Sequence, residues 1–200
     1  MKKSILVLIS LVCISFTVWG QTKAKLIIDA GHGGTDVGAK LVTGDKESDI
    51  CLGMANVLAE YAKQNNIEVE MTRTRKDQYL THQMRSGHKA EKNMKTFFVS
   101  LHLDHDNNPN KKGAKILYYS KNAFASTSRL LAERIAKGLE RLNNTKPEIV
   151  DKEAIVLTKN DMPAVMVYYG FLSNYEDLKR AKDPGYQKEL ALLIVKTILE

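Results

Sequence analysis

Short apolar runs of strand length alternate along this chain with stretches whose apolar residues recur at helical spacing, and that alternation admits few folds. Leu26–Asp29 reads as a first strand. Ile50, Met54, Val57, Leu58 and Tyr61 fall at i, i+4, i+7, i+8 and i+11, an amphipathic helix that Asn65 and Asn66 end. Ile67–Thr72 alternates and reads as a second strand. Leu80–Asn93 reads as a polar helix, and Phe97–His102 ("FFVSLH") as a continuous buried strand. "DHDNNPNKKG" is a loop, because turn formers crowd it. "AKILYYS" (114–120) is a strand, Leu131, Ile135, Leu139 and Leu142 mark another helix, and "AIVL" (154–157) and "AVMVYY" (164–169) are two more strands. Leu190, Leu193, Ile194 and Ile198 share one face of a C-terminal helix. The expectation is an α/β single domain, one central and largely parallel sheet with helices on both faces. In such sheets functional sites form at strand ends, in the connecting loops.

The first twenty residues stand apart. Lys2 and Lys3 precede an apolar run from Ile5 to about Trp19, and Gly20 offers a small residue for cleavage. This is the pattern of a secretory signal peptide (1–20), leaving a mature domain of 21–200; an uncleaved membrane anchor is the competing reading. A lipoprotein signal fits less well, since Cys13 follows bulky Val12 inside the apolar run. Loss of the signal would leave Cys51 as the single cysteine, so no intramolecular disulfide can form. Cys51 falls beside apolar helix positions and is expected to be a packed thiol. The net charge of +7 becomes +5 without Lys2 and Lys3. An exported basic chain suits an anionic surface such as cell-wall polymer. Nucleic acid is not expected as a partner: aromatics are 7% of the chain and no dense basic run or stacking motif occurs.

Chemistry concentrates first in "KLIIDAGHGGTDVGAK" (25–40), where a strand runs into Gly31, His32, Gly33 and Gly34. A glycine-rich turn after a strand can cradle phosphate. This one lacks the GxGxxG spacing, no helix follows at once, and no P-loop lysine–serine pair is present. The other use of glycine is room for a metal and a bulky substrate to approach the backbone. His102 ends a buried strand, and Glu47 in "GDKESD" begins the long helix. Two imidazoles, one carboxylate and an open fourth position are the donor set of a catalytic zinc site. Spacing alone does not select these three. His82 and His88, expected to face solvent from the polar helix, and His105 in a loop remain alternatives.

Ordered motifs add a resemblance. "IIDAGHGGTDVGA", "GDKESD", "MTRTRKD" (71–77) with Arg85 beyond it, "FVSLHLD" and "MPAVMVYYGFLSN" (162–174) resemble, in order, the motifs of the zinc-dependent N-acetylmuramoyl-L-alanine amidase family, the type 3 peptidoglycan amidases. The likeness runs from about Lys25 to the C-terminus. It implies a twisted, mostly parallel six-stranded sheet between helices, with Zn2+ as cofactor on His32, Glu47 and His102. It also implies hydrolysis of the amide joining N-acetylmuramic acid to L-alanine of the stem peptide. Peptidoglycan is then the partner, in a secreted, periplasmic or extracellular setting, with no stable membrane insertion after signal cleavage and an activator protein unidentified. One position departs from the family. Its catalytic glutamate stands two residues before the glycine–phenylalanine pair, where this chain has Tyr168. A phenol with an ordinary pKa of about 10 is no base at neutral pH, although it can donate a hydrogen bond to a developing oxyanion. Tyr168 can equally be a packed strand residue. The resemblance therefore supports two functions, a weak amidase or an inactive homologue that binds peptidoglycan or regulates another hydrolase.

Overall fold

A computed structural model describes residues 23–200; the expected signal peptide lies outside them. Six strands form one sheet in the order β2-β1-β3-β6-β4-β5. They are β1 (Ala24–Ala30), β2 (Glu68–Met71), β3 (Lys95–Asp104), β4 (Lys115–Tyr118), β5 (Glu148–Asp151) and β6 (Ala164–Phe171). The β2, β1, β3 and β6 strands run parallel, and β4 and β5 are parallel to each other, but β4 meets β6 antiparallel. All of β1 from Leu26 to Ala30 is buried, as its unbroken apolar run requires of a strand covered on both faces.

Alternate residues of β1 feed two cores. Leu26 and Ile28 pack with α1 (Glu47–Gln64), α2 (Ala125–Asn143) and α5 (Pro184–Leu199), whereas Ile27 joins Phe98, Leu117, Met166 and the short α3 (Ile155–Thr158) on the other face. Helices thus flank both faces unequally. The gap on the α3 side is filled by the irregular segment 72–94, whose Arg85 reaches Asp29 beneath it. Among the described residues no helix is long and apolar enough to cross a membrane. Cys51 is a buried thiol, as its helix position predicts.

Three local expectations are corrected. Leu80–Asn93 is not a helix; Gly87 (φ +77°) and Asn93 (φ +64°) take left-handed backbone, and its few apolar residues leave no stripe to bury. His88 consequently does not face solvent from a helix. Its side chain is 16% exposed, bonds Glu70 at 3.0 Å and lies against Phe98. "AIVL" is mostly the single-turn helix α3, with consecutive Val156 and Leu157 buried, which a strand's alternation does not provide. The strand of this region is the preceding β5, an exposed edge whose mixed composition hides it. An additional helix, α4 (Tyr175–Lys182), starts where the Asn174 side chain accepts from the Glu176 and Asp177 amides.

Candidate metal centre

At the carboxyl ends of β1 and β3 the chain turns sharply. The Gly31 amide bonds the Leu101 carbonyl at 3.0 Å, which ties the turn to β3. His32 takes a left-handed conformation (φ +59°), uncommon for a residue with a Cβ. That strain is held by buried arginines. Arg85 donates to Asp29 (2.8 Å), to the Ala30 carbonyl (2.7 Å) and to the His32 carbonyl. Arg73 donates to the carbonyls of Ala30 (2.9 Å), Gly31 (2.8 Å) and Ser48 (2.7 Å). Asp29, fully buried, also accepts from Thr72 and Ser100, each at 2.7 Å. A buried carboxylate is tolerable only with such partners.

The turn delivers His32 to Glu47 and His102, and ligand atoms of all three lie within 4.8 Å of one another. The Asp36 carboxylate accepts from His32 Nδ1 at 2.9 Å, so Nε2 points inward, 3.2 Å from Glu47 Oε1. His102 Nδ1 lies 2.9 Å from the same oxygen. Glu47 opens α1 and is itself fixed, Oε2 accepting from the Ala39 amide (3.1 Å) and Oε1 from the Leu103 amide (3.2 Å). Burial opposes the Glu47 charge, but hydrogen bonds from His102 and then His32 outweigh it and hold the carboxyl at about 2. Burial likewise opposes charge on His32, and Glu47 and then Asp36 outweigh it, raising the imidazole above its ordinary 6.5. Glycine is required around this cluster. A Cβ on Gly31 would lie 2.5 Å from the His102 ring, and one on Gly38 2.6 Å from both Glu47 Oε2 and His32.

A cleft of about 520 Å³ opens over the cluster. Tyr168 forms part of its wall: it is the register partner of His102, and their rings are 5.4 Å apart. Burial first, then the charge of Glu47, pushes the Tyr168 phenol up to about 12, so it is neutral throughout the physiological range. Lys115, opposite it on β4, places its ammonium 4.6 Å from the tyrosine ring and 2.5 Å from Asp104. Of the other histidines, His82 and His105 line the cleft but are exposed, and His88 does not line it. Glu176 is exposed at the start of α4 and does not line the cleft, whereas Asp104 does. Sequence reasoning missed Asp36, whose one signal is its place four residues after His32, and Lys115, which nothing in the local sequence marks.

An α/β sheet that gathers two histidines and a glutamate at the ends of its parallel strands defines a domain able to hold one metal ion over a substrate cleft. The comparisons make the class specific. Residues 26–200 match the profile of the N-acetylmuramoyl-L-alanine amidase family, and the chain belongs to that family. It is 30% identical over 172 residues to the probable cell wall amidase LytH of Staphylococcus aureus, and 30% identical over 185 residues to an uncharacterized cell wall amidase of Bacillus anthracis. Those alignments take in 85% and 88% of this chain but only 55% and 35% of the relatives, so it spans about a third to a half of their length. An N-acetylmuramoyl-L-alanine amidase from Clostridium difficile 630 superposes with a TM-score of 0.78 at 29% identity, covering 89% of this chain and 96% of that one. The CwlD amidase from Clostridioides difficile, solved in complex with the GerS lipoprotein, superposes at 0.74 with 27% identity, covering 88% and 96%.

Proposed function

We propose that this chain is a zinc-dependent peptidoglycan hydrolase, an N-acetylmuramoyl-L-alanine amidase cleaving the bond between N-acetylmuramic acid and L-alanine of the stem peptide. The carrying observation is the His32–Glu47–His102 cluster, within 4.8 Å, in a chain of this family. The donor set suits zinc, with two imidazoles turned inward, one buried carboxylate and a cleft on the open side. The glycine cradle at Gly31 and Gly38 leaves that space free. Bound there, zinc would supply Lewis-acid polarisation of the scissile carbonyl and acidify water.

The remaining roles fall to the chain itself. Asp36 fixes the tautomer and ring plane of His32. The amides of Ala39 and Leu103 orient Glu47. Tyr168, neutral beside His102, is a hydrogen-bond donor toward the reacting carbonyl and no proton acceptor. The predicted consequence is slow turnover. Tyr168 also favours a second reading, a homologue that binds peptidoglycan or regulates another wall hydrolase without cutting.

Export with cleavage near Gly20 fits both readings and the cell-wall naming of the relatives. The CwlD–GerS complex supports an accessory protein as a partner for this chain too. Digestion of purified peptidoglycan with and without zinc, products resolved by mass, tests the activity. Free stem peptides beginning with L-alanine, appearing only with zinc, are expected; their absence with binding retained selects the second reading. N-terminal sequencing of the exported protein tests the cleavage, and a chain still beginning at Met1 would refute it.

A further inference from the structure

On α2, Leu130, Arg134, Lys137 and Arg141 follow one another at i, i+4, i+7 and i+11, so they form one stripe. On α5, Leu192, Lys196 and Leu199 do the same at i, i+4 and i+7. Arg134, Lys137 and Arg141 of the first stripe and Leu192 and Lys196 of the second border a groove of about 730 Å³ between the helices, which Glu189 and Glu200 also line; Leu130 lines the adjoining hollow. Among the described residues none of the four cations forms an ion pair. The leucines have no core to enter: Leu130, Leu192 and Leu199 are 46%, 38% and 44% exposed. The groove continues through Arg134 and Thr197 into an apolar hollow of about 500 Å³ floored by Met94, Phe97, Met162 and Ile198.

We infer that this α2–α5 surface docks on an anionic lipid bilayer. Unpaired cations interleaved with exposed leucines suit the headgroup boundary, where the charges meet lipid phosphates and the apolar tips sink between them. A hydrophilic polyanion of the wall would satisfy the cations and leave the leucines and the hollow without a partner. The metal cleft lies on the α3 face at the opposite ends of the strands, with Met166 and Tyr168 in its wall. A molecule lying on its α2–α5 surface would therefore hold the cleft away from the membrane. The inference does not depend on the amidase reading.

The test is sedimentation of the exported protein with phosphatidylcholine vesicles, with and without phosphatidylglycerol. Binding to the anionic vesicles is expected to exceed that to the neutral ones. The variant Arg134→Gln/Lys137→Gln/Arg141→Gln should weaken anionic-vesicle binding about fivefold per cation removed, roughly a hundredfold in all. Leu130→Ser/Leu199→Ser should lower the binding that survives at high salt. Cleavage of soluble peptidoglycan fragments, or zinc content if there is none, should not change, since these residues lie outside the cleft. Should the triple variant fail to fold, the exposed Lys137→Gln and Arg141→Gln are read singly. Equal binding to both vesicle types, variants that bind like the natural protein, or capture by purified anionic wall polymer without vesicle binding would each overturn the inference.

Discussion

His102 and Tyr168 are register partners on adjacent parallel strands, their rings 5.4 Å apart at the rim of one cleft. Any side chain at position 168 therefore overlooks the space beside the histidine cluster. A carboxylate there would be placed to take a proton, and a neutral phenol is not. Tyr168→Glu is thus expected to raise amidase activity of the zinc-loaded protein by up to about 10²–10⁴-fold. Glutamate is smaller than tyrosine, and Lys115 opposite is already paired with Asp104. Rates on purified peptidoglycan decide it; a brisk natural enzyme slowed by the substitution would show that another group supplies the base.

Metal content is the second expectation. The purified protein should hold one zinc, and His32→Ala or His102→Ala should abolish stoichiometric binding. Asp36→Ala removes the acceptor from His32 Nδ1 and should weaken zinc affinity about 10–100-fold, the usual effect of losing such a partner. Elemental analysis and competition with a chelating dye measure both. Full zinc in the two histidine variants would sink the assignment.

Arg85 and Asp29 lie 56 residues apart in sequence and pair with side chains 5% and 0% exposed. Arg85→Ala would leave the buried carboxylate without its cation and the His32 carbonyl without its donor. A loss of about 3–5 kcal/mol in stability is expected. Urea unfolding reads it, and a change within about 0.5 kcal/mol, the range of ordinary surface substitutions, would contradict the role given to this pair.

Two glycines separate backbone strain from site geometry. Gly38 (φ +63°) and Gly44 (φ +92°) both have positive φ, but only at Gly38 would a Cβ meet Glu47 and His32. Both alanine variants should lose about 1–2 kcal/mol of stability to strain. Only Gly38→Ala should also lower zinc affinity, by roughly tenfold or more. Equal zinc affinity in the two variants would mean the cluster tolerates crowding.

Stability of the metal-free protein should depend on pH through the same cluster. Glu47 has a folded value of about 2 against an ordinary 4.5, so its contribution is present above pH 4.5 and is lost as pH falls toward 2. It amounts to at most about 3 kcal/mol. His32 acts in the opposite sense. Its raised value means a contribution complete below pH 6.5 and lost as pH rises through the folded value. Chelator-treated protein should therefore gain most from the cluster between these limits. Urea midpoints across pH, compared with Glu47→Gln, test this; an unchanged acid slope in the variant would assign the effect elsewhere.

The sequence alone determined the parts whose information is local. The unbroken apolar run of β1 marks a strand covered on both faces, and the stripes of α1, α2 and α5 mark one buried face each, because period 3.6 records which side of a helix avoids water. The residue types of the proposed metal centre, and the tyrosine that departs from the resembled motif, were legible by position in ordered motifs. Periodicity does not say which element covers which, and the remaining features depend on that. Segment 80–93 reads as a polar helix until Arg85 is seen anchored on Asp29, a long-range contact that local pattern does not encode. "AIVL" has the composition of a strand, yet it caps the Ile27 face as one helical turn, while the edge position beside β4 is taken by β5. The union of His32, Glu47 and His102, and the ammonium of Lys115 over Tyr168, arise from strand order and register. The register of a pair is fixed only when both strands bury their apolar faces together, and that is decided by the folded tertiary structure.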